Sequence, residues 1–342
     1  MLGARFPRSS ASHPARAKLE QGNGSPFSSN SSNSNPSCIE IERKALVEFK
    51  KGLTDPSGRL SSWVGNDCCT WMGVGCSNQT GNVVSLDLRN RFQCFDNSSC
   101  LGGEVSNQIM GDISELVGGL VECSNSSLEE LWLGDNQVSG QLPDYSLAHL
   151  QNLRYLILPI NLISGPIPPS IGSSLKLEIL KLSYNQMNGS IPDSVGKLAN
   201  LNSLILEYNY WEGVLSQNHL QGLTKLQSFT ISSLNKSLIF NISHEWVPPF
   251  SLTYITIHSC QLGPRFPAWL SNQKQLSDIT LTDVAISNTI PYWLCELSPH
   301  IFWLDLSANR IHEMLPNSLV FPSAFLVDFS FNRLEGSLPF LA

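Results

Sequence analysis

Residues 182–206 read LSYNQMNGSIPDSVGKLANLNSLIL and contain one unit of a pattern that recurs along the chain. The pattern is Leu-x-x-Leu-x-Leu-x-x-Asn, followed by Gly-x-Ile-Pro. From Leu128 onward, successive copies begin 23 to 26 residues apart. A period of this length predicts a solenoid in which each coil contributes one short strand. The copies start at Val83, Leu128, Leu153, Leu177, Leu201, Leu226, Leu252, Leu276, Ile301 and Ala324.

The apolar columns of the repeat explain why the coils would stack. The fourth and sixth positions, Leu180 and Leu182 in one copy, lie two residues apart and therefore on one face of a strand. We expect this face to point into the coil, and we expect neighbouring coils to pair their strands in parallel. The sequence thus predicts an α/β leucine-rich-repeat solenoid with a curved parallel β-sheet, shaped like a horseshoe.

The ninth column of the repeat is polar. A buried asparagine there can bond backbone groups of its own turn and of the next coil. Cys260 takes this position in one copy, and Leu234 and Val284 interrupt the column, so we expect a weaker ladder there. Glycine and proline in the tail that follows turn the chain towards the convex side. The column's asparagines are Asn136, Asn161, Asn185, Asn209, Asn309 and Asn332.

The composition argues against several classes of partner. The chain has 342 residues, of which 21 are basic and 28 acidic, and its net charge is −7. No cluster of lysine and arginine stands out, so we do not expect nucleic acid to bind. No stretch approaches about 18 consecutive apolar residues, so we expect no transmembrane segment in this chain.

Cysteines and glycosylation signals point to the secretory route and to the cell surface. Nine cysteines are present, most of them in the first third of the chain, which suggests disulfides and an oxidising compartment. Four acceptors, Asn97, Asn125, Asn188 and Asn235, fall outside the predicted strand segments, so glycans there would leave the sheet open. The acceptors beyond the leader are Asn78, Asn97, Asn125, Asn188, Asn235 and Asn241.

Residues 1–37 form a leader of different composition. They contain four basic residues and a tract rich in serine and asparagine, but no apolar core of a signal peptide. We expect this leader to be disordered, with an organelle transit peptide as the alternative.

Residues 38–80 form the candidate cap that the amino-terminal end of a solenoid needs. The stretch CIEIERKALVEFKKGLTDPSGRLSSWVGNDCCTWMGVGC has a helical apolar face at Leu46 and Phe49, and Trp63 and Trp71 can cover the first coil. This stretch resembles the plant-type cap of extracellular leucine-rich-repeat proteins.

The resemblance extends over residues 38–342. Phrases such as NQMNGSIPDSVGKL and SCQLGPRFPAWL are similar to plant receptor-like proteins and receptor-like kinases, including the group that perceives fungal xylanase. Members are cell-surface glycoproteins that sense extracellular ligands, so the resemblance implies a protein or peptide ligand and a co-receptor kinase as partners. It also implies the disulfides Cys38–Cys68 and Cys69–Cys76, one of the three pairings that four cysteines allow.

Two departures from the family pattern concern the repeats at 81–342. The chain ends inside a repeat, so we interpret it as truncated: a true product, a splice form or an incomplete gene model. The repeat tail also occurs twice between Leu101 and Ile113 without an intervening strand, which indicates a deletion that joins two coils. We therefore expect residues 92–127 to lack a complete coil, and a regular strand at 99–104 would contradict this. The pairing of Cys94, Cys100, Cys123, Cys260 and Cys295 stays open.

The concave face of the sheet is the candidate binding surface, because the third, fifth, seventh and eighth positions of each repeat point away from the core. Aromatic residues with isolated charges on a rigid sheet suit protein or glycan recognition, although the rings could instead serve to stack on one another. Trp211 lies in an apolar column and is expected in the core. The candidate binding residues are Trp132, Tyr155, Lys181, Tyr184, Glu207, Tyr208, Tyr254, His258, Trp303 and Asp305.

Two functions remain open from the sequence. No phosphate-binding, kinase or zinc motif is found and the seven histidines are scattered, so we expect no enzyme activity, cofactor or metal. We favour ligand recognition by a receptor-like ectodomain fragment in plant cell-surface signalling or defence. The alternative is a soluble inhibitor of secreted cell-wall-degrading enzymes, similar to polygalacturonase-inhibiting proteins, and a non-functional gene remnant is a third reading.

The cap offers the first test. Mass mapping of non-reduced peptides should show no free thiol at Cys38, Cys68, Cys69 or Cys76. Each bridge should stabilise the fold by about 2–4 kcal/mol, because it restricts the unfolded chain. A reduced Cys69 in secreted, folded protein would contradict the predicted pairing.

Overall fold

The protein, described by a computed structural model over residues 37–89, 108–121 and 127–336, is a solenoid built around one main sheet. Strand β1 (Val74–Cys76) pairs antiparallel with β2 (Val83–Asp87), and every later strand of the main sheet pairs in parallel with its predecessor. These later strands are β4 (Glu130–Trp132), β6 (Tyr155–Ile157), β8 (Ile179–Lys181), β10 (Ser203–Trp211), β12 (Ser228–Ser233), β14 (Tyr254–His258), β15 (Asp278–Thr282), β16 (Trp303–Asp305) and β18 (Leu326–Asp328).

The predicted inward column of leucines forms the core. Leu131, Leu156, Leu180 and Leu204 are register partners on consecutive strands, and all four are buried. Burying one such side chain contributes about 1.5–3 kcal/mol, so each coil is stabilised chiefly by its neighbours. Trp211 is fully buried, as its column predicted. The predicted leucine-rich-repeat solenoid is confirmed.

A second set of short strands, here called the lateral strands, follows the ladder position in several coils. The described residues also contain four α-helices and several 3-10 turns, and those beyond the cap return the chain to the next strand. The lateral strands are β3 (Met110–Asp112), β5 (Gln137–Ser139), β7 (Ser164–Gly165), β9 (Gln186–Gly189), β11 (Gly213–Ser216), β13 (Leu238–Asn241), β17 (His312–Glu313) and β19 (Arg333–Leu334). The helices are α1 (Glu40–Lys51), α2 (Ile113–Val121), α3 (Asp144–Leu147) and α4 (Tyr292–Leu297), and the 3-10 turns lie at Cys68–Thr70, Pro169–Ser173, Asp193–Lys197, Gln217–His219, Ala268–Asn272 and Ser298–His300.

The buried asparagines bond consecutive coils together. The Asn185 Oδ1 atom accepts a hydrogen bond from the Ile163 amide at 3.0 Å. Its Nδ2 atom donates to the Leu158 carbonyl of the preceding coil at 3.0 Å and to the Leu182 carbonyl at 3.1 Å. The same contacts to a preceding coil recur at the other ladder residues, Asn136, Asn161, Asn209, Asn309 and Asn332.

The two interruptions of the ladder have different outcomes. Val284 is buried, and its amide donates to Asn309 Oδ1 of the following coil. Leu234 does not enter the core at all, since it is 46% exposed. Ser233 is buried in its place and donates a hydrogen bond to the Trp211 carbonyl, while the register between β10 and β12 shifts at this point.

The cap is closed by two disulfides, and charged side chains join it to the solenoid. The bridges Cys38–Cys68 and Cys69–Cys76 are those implied by the family resemblance. The buried Glu42 carboxylate accepts a hydrogen bond from the Val83 amide at 2.8 Å, and burial raises the pKa of this carboxyl.

An arginine side chain of the cap bonds the first asparagine of the ladder. The Arg59 guanidinium donates to Asn136 Oδ1 at 3.0 Å and to the Leu88 carbonyl at 2.6 Å. Trp63 and Trp71 stack with their ring centroids 5.4 Å apart and are buried, as expected of residues that cover a first coil. The disulfide-bonded helical cap is therefore confirmed.

The first two coils meet without another main-sheet strand between them. Strand β2 pairs directly with β4, and Leu86 is the register partner of Leu131. Along the chain, the lateral strand β3 and helix α2 lie between β2 and β4, and the Ile109 amide donates a hydrogen bond to Asn136 Oδ1. The expected irregularity at 92–127 falls partly outside the described residues. The segment at 99–104, where a regular strand would have contradicted the deletion, and the leader at 1–36 lie wholly outside them. The same holds for Cys94, Cys100, Cys123, Asn97 and Asn125.

Among the described residues, no helix combines the length and the apolar character needed to cross a bilayer. Cys260 and Cys295 are buried and form no disulfide within the described residues. Burial raises the pKa of the Cys260 thiol to about 12, so this thiol stays protonated at neutral pH.

The ladder predicts a large effect of a small polar change. Asn185→Ala should lower the free energy of unfolding by about 3 kcal/mol, because buried backbone groups of two coils lose their partners. Urea denaturation measures the loss. Asn218→Ala, at an exposed asparagine of the convex side, is the control and should stay within about 0.5 kcal/mol of the parent. Equal stability of the two variants would contradict the role of the ladder.

Candidate functional site

The main sheet presents the predicted binding residues on the face that points away from the core, here called the concave face. In β14, Ile255 and Ile257 are buried, whereas Tyr254 and His258 face outward and Tyr254 is 47% exposed. The same alternation places Trp303 and Asp305 outward on β16, around the buried Leu304. The remaining predicted residues lie on this face or at its edge: Trp132, Tyr155, Lys181, Tyr184, Glu207 and Tyr208.

Three rings form a stack across neighbouring coils, here called the central ring stack (Tyr184, Tyr208 and His258). The Tyr184 and Tyr208 rings lie 4.1 Å apart and nearly parallel, whereas the Tyr208 and His258 rings lie 4.7 Å apart and are tilted by 55°. Ser232 occupies the strand between Tyr208 and His258, and its Oγ atom accepts a hydrogen bond from the Tyr208 amide. The small Ser232 side chain leaves room for the rings to meet over it.

The backbone fixes the first two rings of the stack. Tyr184 and Tyr208 have φ angles of 56° and 55°, in the left-handed region that bulky residues rarely adopt. Each directly precedes a ladder asparagine, Asn185 or Asn209, so the turn that positions the asparagine also positions the ring. Tyr184 remains 44% exposed, which leaves part of its surface for a ligand.

Two opposite charges lie beside the central ring stack. Burial lowers the pKa of Lys181, and the attraction of Glu207 partly offsets this shift. Burial likewise raises the pKa of Glu207, and Lys181 partly offsets it. Lys181 is the register partner of Ile205, two residues before Glu207, and the two side chains form no direct ion pair in the described part of the chain. Both charged ends can therefore still pair with a ligand.

His258 is held neutral within the sheet. Burial lowers its pKa to about 4, against the opposing attraction of Asp283 and Asp305. Within the described residues, the His258 Nε2 atom and the hydroxyls of Thr230 and Thr282 are buried without a hydrogen-bond partner. An unpaired buried polar group costs about 1–3 kcal/mol, and a buried water that bonds these atoms would remove this cost. The two threonines are not among the predicted binding residues, although both occupy outward columns.

The rings nearer the cap are already engaged within the protein. Arg89 lies 4.0 Å from the Trp132 ring centroid, and Arg154 lies 5.3 Å from that of Tyr155. The Tyr155 hydroxyl donates to Glu178 Oε2 at 3.0 Å, and Arg154 pairs with the same carboxylate at 2.8 Å. Stacking and pairing within the fold thus account for these two rings, whose charged partners the repeat pattern did not predict.

Acidic side chains gather on the last described strands of the concave face. Asp305 and Asp328 are register partners on adjacent strands, and like charges placed directly opposite repel each other. Asp278 lies on the neighbouring strand β15. Towards the cap, Arg154 is already paired with Glu178, so the described residues present no matching basic region there. Basic groups of a ligand would therefore complement the acidic end of this face.

Comparisons with protein families match two parts of the chain. The Leucine rich repeat N-terminal domain matches residues 40–77, and the Leucine Rich Repeat matches residues 176–198. Receptor-like protein 14 of Arabidopsis thaliana is 36% identical over 88% of this chain. Receptor-like protein EIX1 of Solanum lycopersicum is 36% identical over 37% of this chain. The matches span only 43% and 12% of these two relatives, so the chain covers less than half of their length.

Solved structures support the same architecture. A plant ice-binding protein superposes with a TM-score of 0.64 at 22% identity, covering 90% of this chain and 91% of its own. The leucine-rich-repeat ectodomain of the Arabidopsis receptor kinase HAESA, in complex with an IDA peptide hormone ligand, superposes with a TM-score of 0.56 at 24% identity. It covers 87% of this chain and 50% of that one. At these identities both likenesses show the fold alone.

The neutral His258 predicts a pH dependence of stability. Its pKa in the folded protein is about 4, below the ordinary value of 6.5, so its contribution is complete above about pH 6.5 and is lost as the pH falls through about 4. Between these two pH values, His258 is protonated in the unfolded state and neutral in the folded state. Between about pH 7 and pH 4 the loss should reach up to about 3 kcal/mol.

Urea denaturation at several pH values measures this loss. His258→Gln should flatten the acid limb of the profile, whereas His244→Gln, at an exposed histidine, should keep the parent profile. An unchanged acid limb in His258→Gln would refute the assignment of a buried, neutral His258.

Proposed function

Since this chain is a leucine-rich-repeat protein whose homologues are plant receptor-like proteins, we propose that its concave face binds an extracellular protein or peptide ligand without catalysing a reaction. The proposed setting is plant cell-surface signalling or defence. The signal that follows ligand binding would come from a partner protein, for which a co-receptor kinase is the candidate.

The observation that carries this proposal is the central ring stack beside Lys181 and Glu207. Large rings bury much area on contact and lose little conformational entropy, because the left-handed turns already hold Tyr184 and Tyr208 in place. Contacts of this kind dominate the binding free energy of protein interfaces.

The charges of the concave face suggest what the ligand carries. The end away from the cap presents Asp278, Asp305 and Asp328, whereas the half near the cap carries charges of both signs. We propose a ligand with basic groups towards the end away from the cap. Complementary charges at that end would fix its direction and accelerate its association.

The extracellular location rests on the cap and on the relatives. Two disulfides in a small cap are typical of an oxidising compartment. The HAESA ectodomain, which shares this fold, was solved with a peptide hormone, and a peptide is one of the two ligand classes that we propose.

The alternative remains a soluble inhibitor of secreted wall-degrading enzymes. It would use the same sheet, so the site alone does not separate the two functions. A fungal polygalacturonase distinguishes them: an inhibitor would bind it and abolish its activity, whereas a receptor ectodomain would bind a ligand without this effect.

The binding site is tested by titration with a fungal xylanase and with a panel of synthetic peptides that carry basic groups at one end or the other. For any probe that binds, Tyr184→Ala and Tyr208→Ala should each weaken the binding by about 1–2 kcal/mol, because each removes a ring from the stack. The thermal melt should change little, since neither side chain belongs to an inward column.

Tyr292→Ala is the matched control, because this tyrosine is 75% exposed on helix α4, away from the concave face. Its affinity should equal that of the parent. The assignment of the site fails if the Tyr184/Tyr208 double variant melts and binds as the parent does. The recognition function itself fails if no probe in the panel binds.

A further inference from the structure

Two glycosylation acceptors lie in lateral strands, each beside an exposed apolar side chain. Asn188 of β9 was expected outside the strands, but it is the register partner of Tyr210 in β10. Both side chains face solvent, whereas Met187 and Trp211 face the core. Neighbouring strands are about 4.8 Å apart, so the Asn188 amide and the Tyr210 side chain are adjacent.

The second acceptor repeats this arrangement. Asn241 follows Ile239 by two residues in β13, so both side chains lie on one face of the strand. Ile239 is the register partner of Val214 in β11, and both are exposed. Each acceptor thus has an apolar neighbour on the solvent side of the lateral strands.

We propose that an oligosaccharide linked to Asn188 packs its first sugar on the Tyr210 ring, and that one linked to Asn241 covers Ile239 and Val214. The proposal rests on the extracellular location given under the proposed function. One face of a pyranose ring presents C–H groups, which suit the electron-rich face of an aromatic ring. Tyr210, 43% exposed, stacks on no other ring of the described chain and so offers such a face.

The two asparagines are free to carry the modification. Neither the Asn188 nor the Asn241 side-chain amide makes a hydrogen bond within the described residues, and a serine follows each at the required position. Asn235 differs, since its Oδ1 atom accepts hydrogen bonds from the Ser233 hydroxyl and the Ser237 amide.

The transfer requires a lipid-diphosphate-linked oligosaccharide as co-reactant. The asparagine Nδ2 atom forms a bond to C1 of the first sugar while the bond from C1 to the phosphate oxygen breaks. The lipid diphosphate leaves with the electron pair, and a base takes the amide proton. No oxidation or reduction is involved.

Covering these residues has a consequence for partner choice. Large contiguous apolar patches on a protein surface commonly mark a protein contact. With sugars packed over Tyr210, Val214 and Ile239, the lateral face would be closed to protein partners. The concave face carries neither acceptor, so it would remain open to a ligand.

The test uses the full chain secreted from plant cells, with its glycans trimmed to one N-acetylglucosamine by an endoglycosidase. Peptide mapping should find Asn188 and Asn241 occupied. In NMR spectra, protons of the sugar on Asn188 should shift upfield because they lie over the Tyr210 ring. Tyr210→Ala should remove the shift and Tyr210→Phe should keep it. The sugar on Asn78, an exposed residue of a cap turn, is the control and should not respond to either variant.

A thermal melt gives an independent readout. Asn188→Gln should lower the Tm of the parent by about 1–3 °C, and it should have no further effect in the Tyr210→Ala background. An unoccupied Asn188, unshifted sugar protons in the parent, or additive Tm changes would overturn the proposal. These signals need no ligand, so a failure of concave-face binding leaves them unchanged and remains a separate result.

Discussion

The buried asparagine of each coil is the interaction on which the rest of the structure depends. A chain that turns after every strand leaves backbone groups unpaired, and leaving them unpaired in the core costs about 1–3 kcal/mol each. Asn185 and its equivalents bond those groups in two coils at once, which fixes the distance between neighbouring turns. The same turn demands a left-handed residue just before the asparagine. At Tyr184 and Tyr208 that residue is a tyrosine, so the device that holds the coils together also holds the rings of the proposed site.

The cap extends this arrangement to the amino-terminal end. Arg59 bonds the first ladder asparagine, Glu42 bonds the first amide of strand β2, and two disulfides hold the cap itself. The concave face therefore has a rigid support on its amino-terminal side. A rigid surface loses little conformational entropy on binding, which favours recognition by preformed contacts.

The period of the sequence predicted the sheet, the inward leucines, the ladder and the buried Trp211, because these features depend only on columns that repeat. Features that depend on one coil were harder to predict. Leu234 was placed in the ladder by counting residues, but a local shift of register buries Ser233 there instead. The central ring stack depends on the small Ser232 between Tyr208 and His258, which no single column reveals. Likewise, Arg154 and Glu178 engage Tyr155 through contacts between coils that the sequence pattern does not encode.

Hydroxyl-radical footprinting of the secreted chain, with and without a bound protein ligand such as a fungal xylanase, tests recognition by the concave face most directly. It compares four tyrosines whose exposure and position are known: Tyr184 and Tyr254 on the concave face, and Tyr145 and Tyr292 on helices α3 and α4, which lie on the other side of the coils. We expect the ligand to protect Tyr184 and Tyr254 from oxidation while Tyr145 and Tyr292 react as in the free protein. Protection of Tyr145 and Tyr292 with unchanged oxidation of Tyr184 would contradict recognition by the concave face.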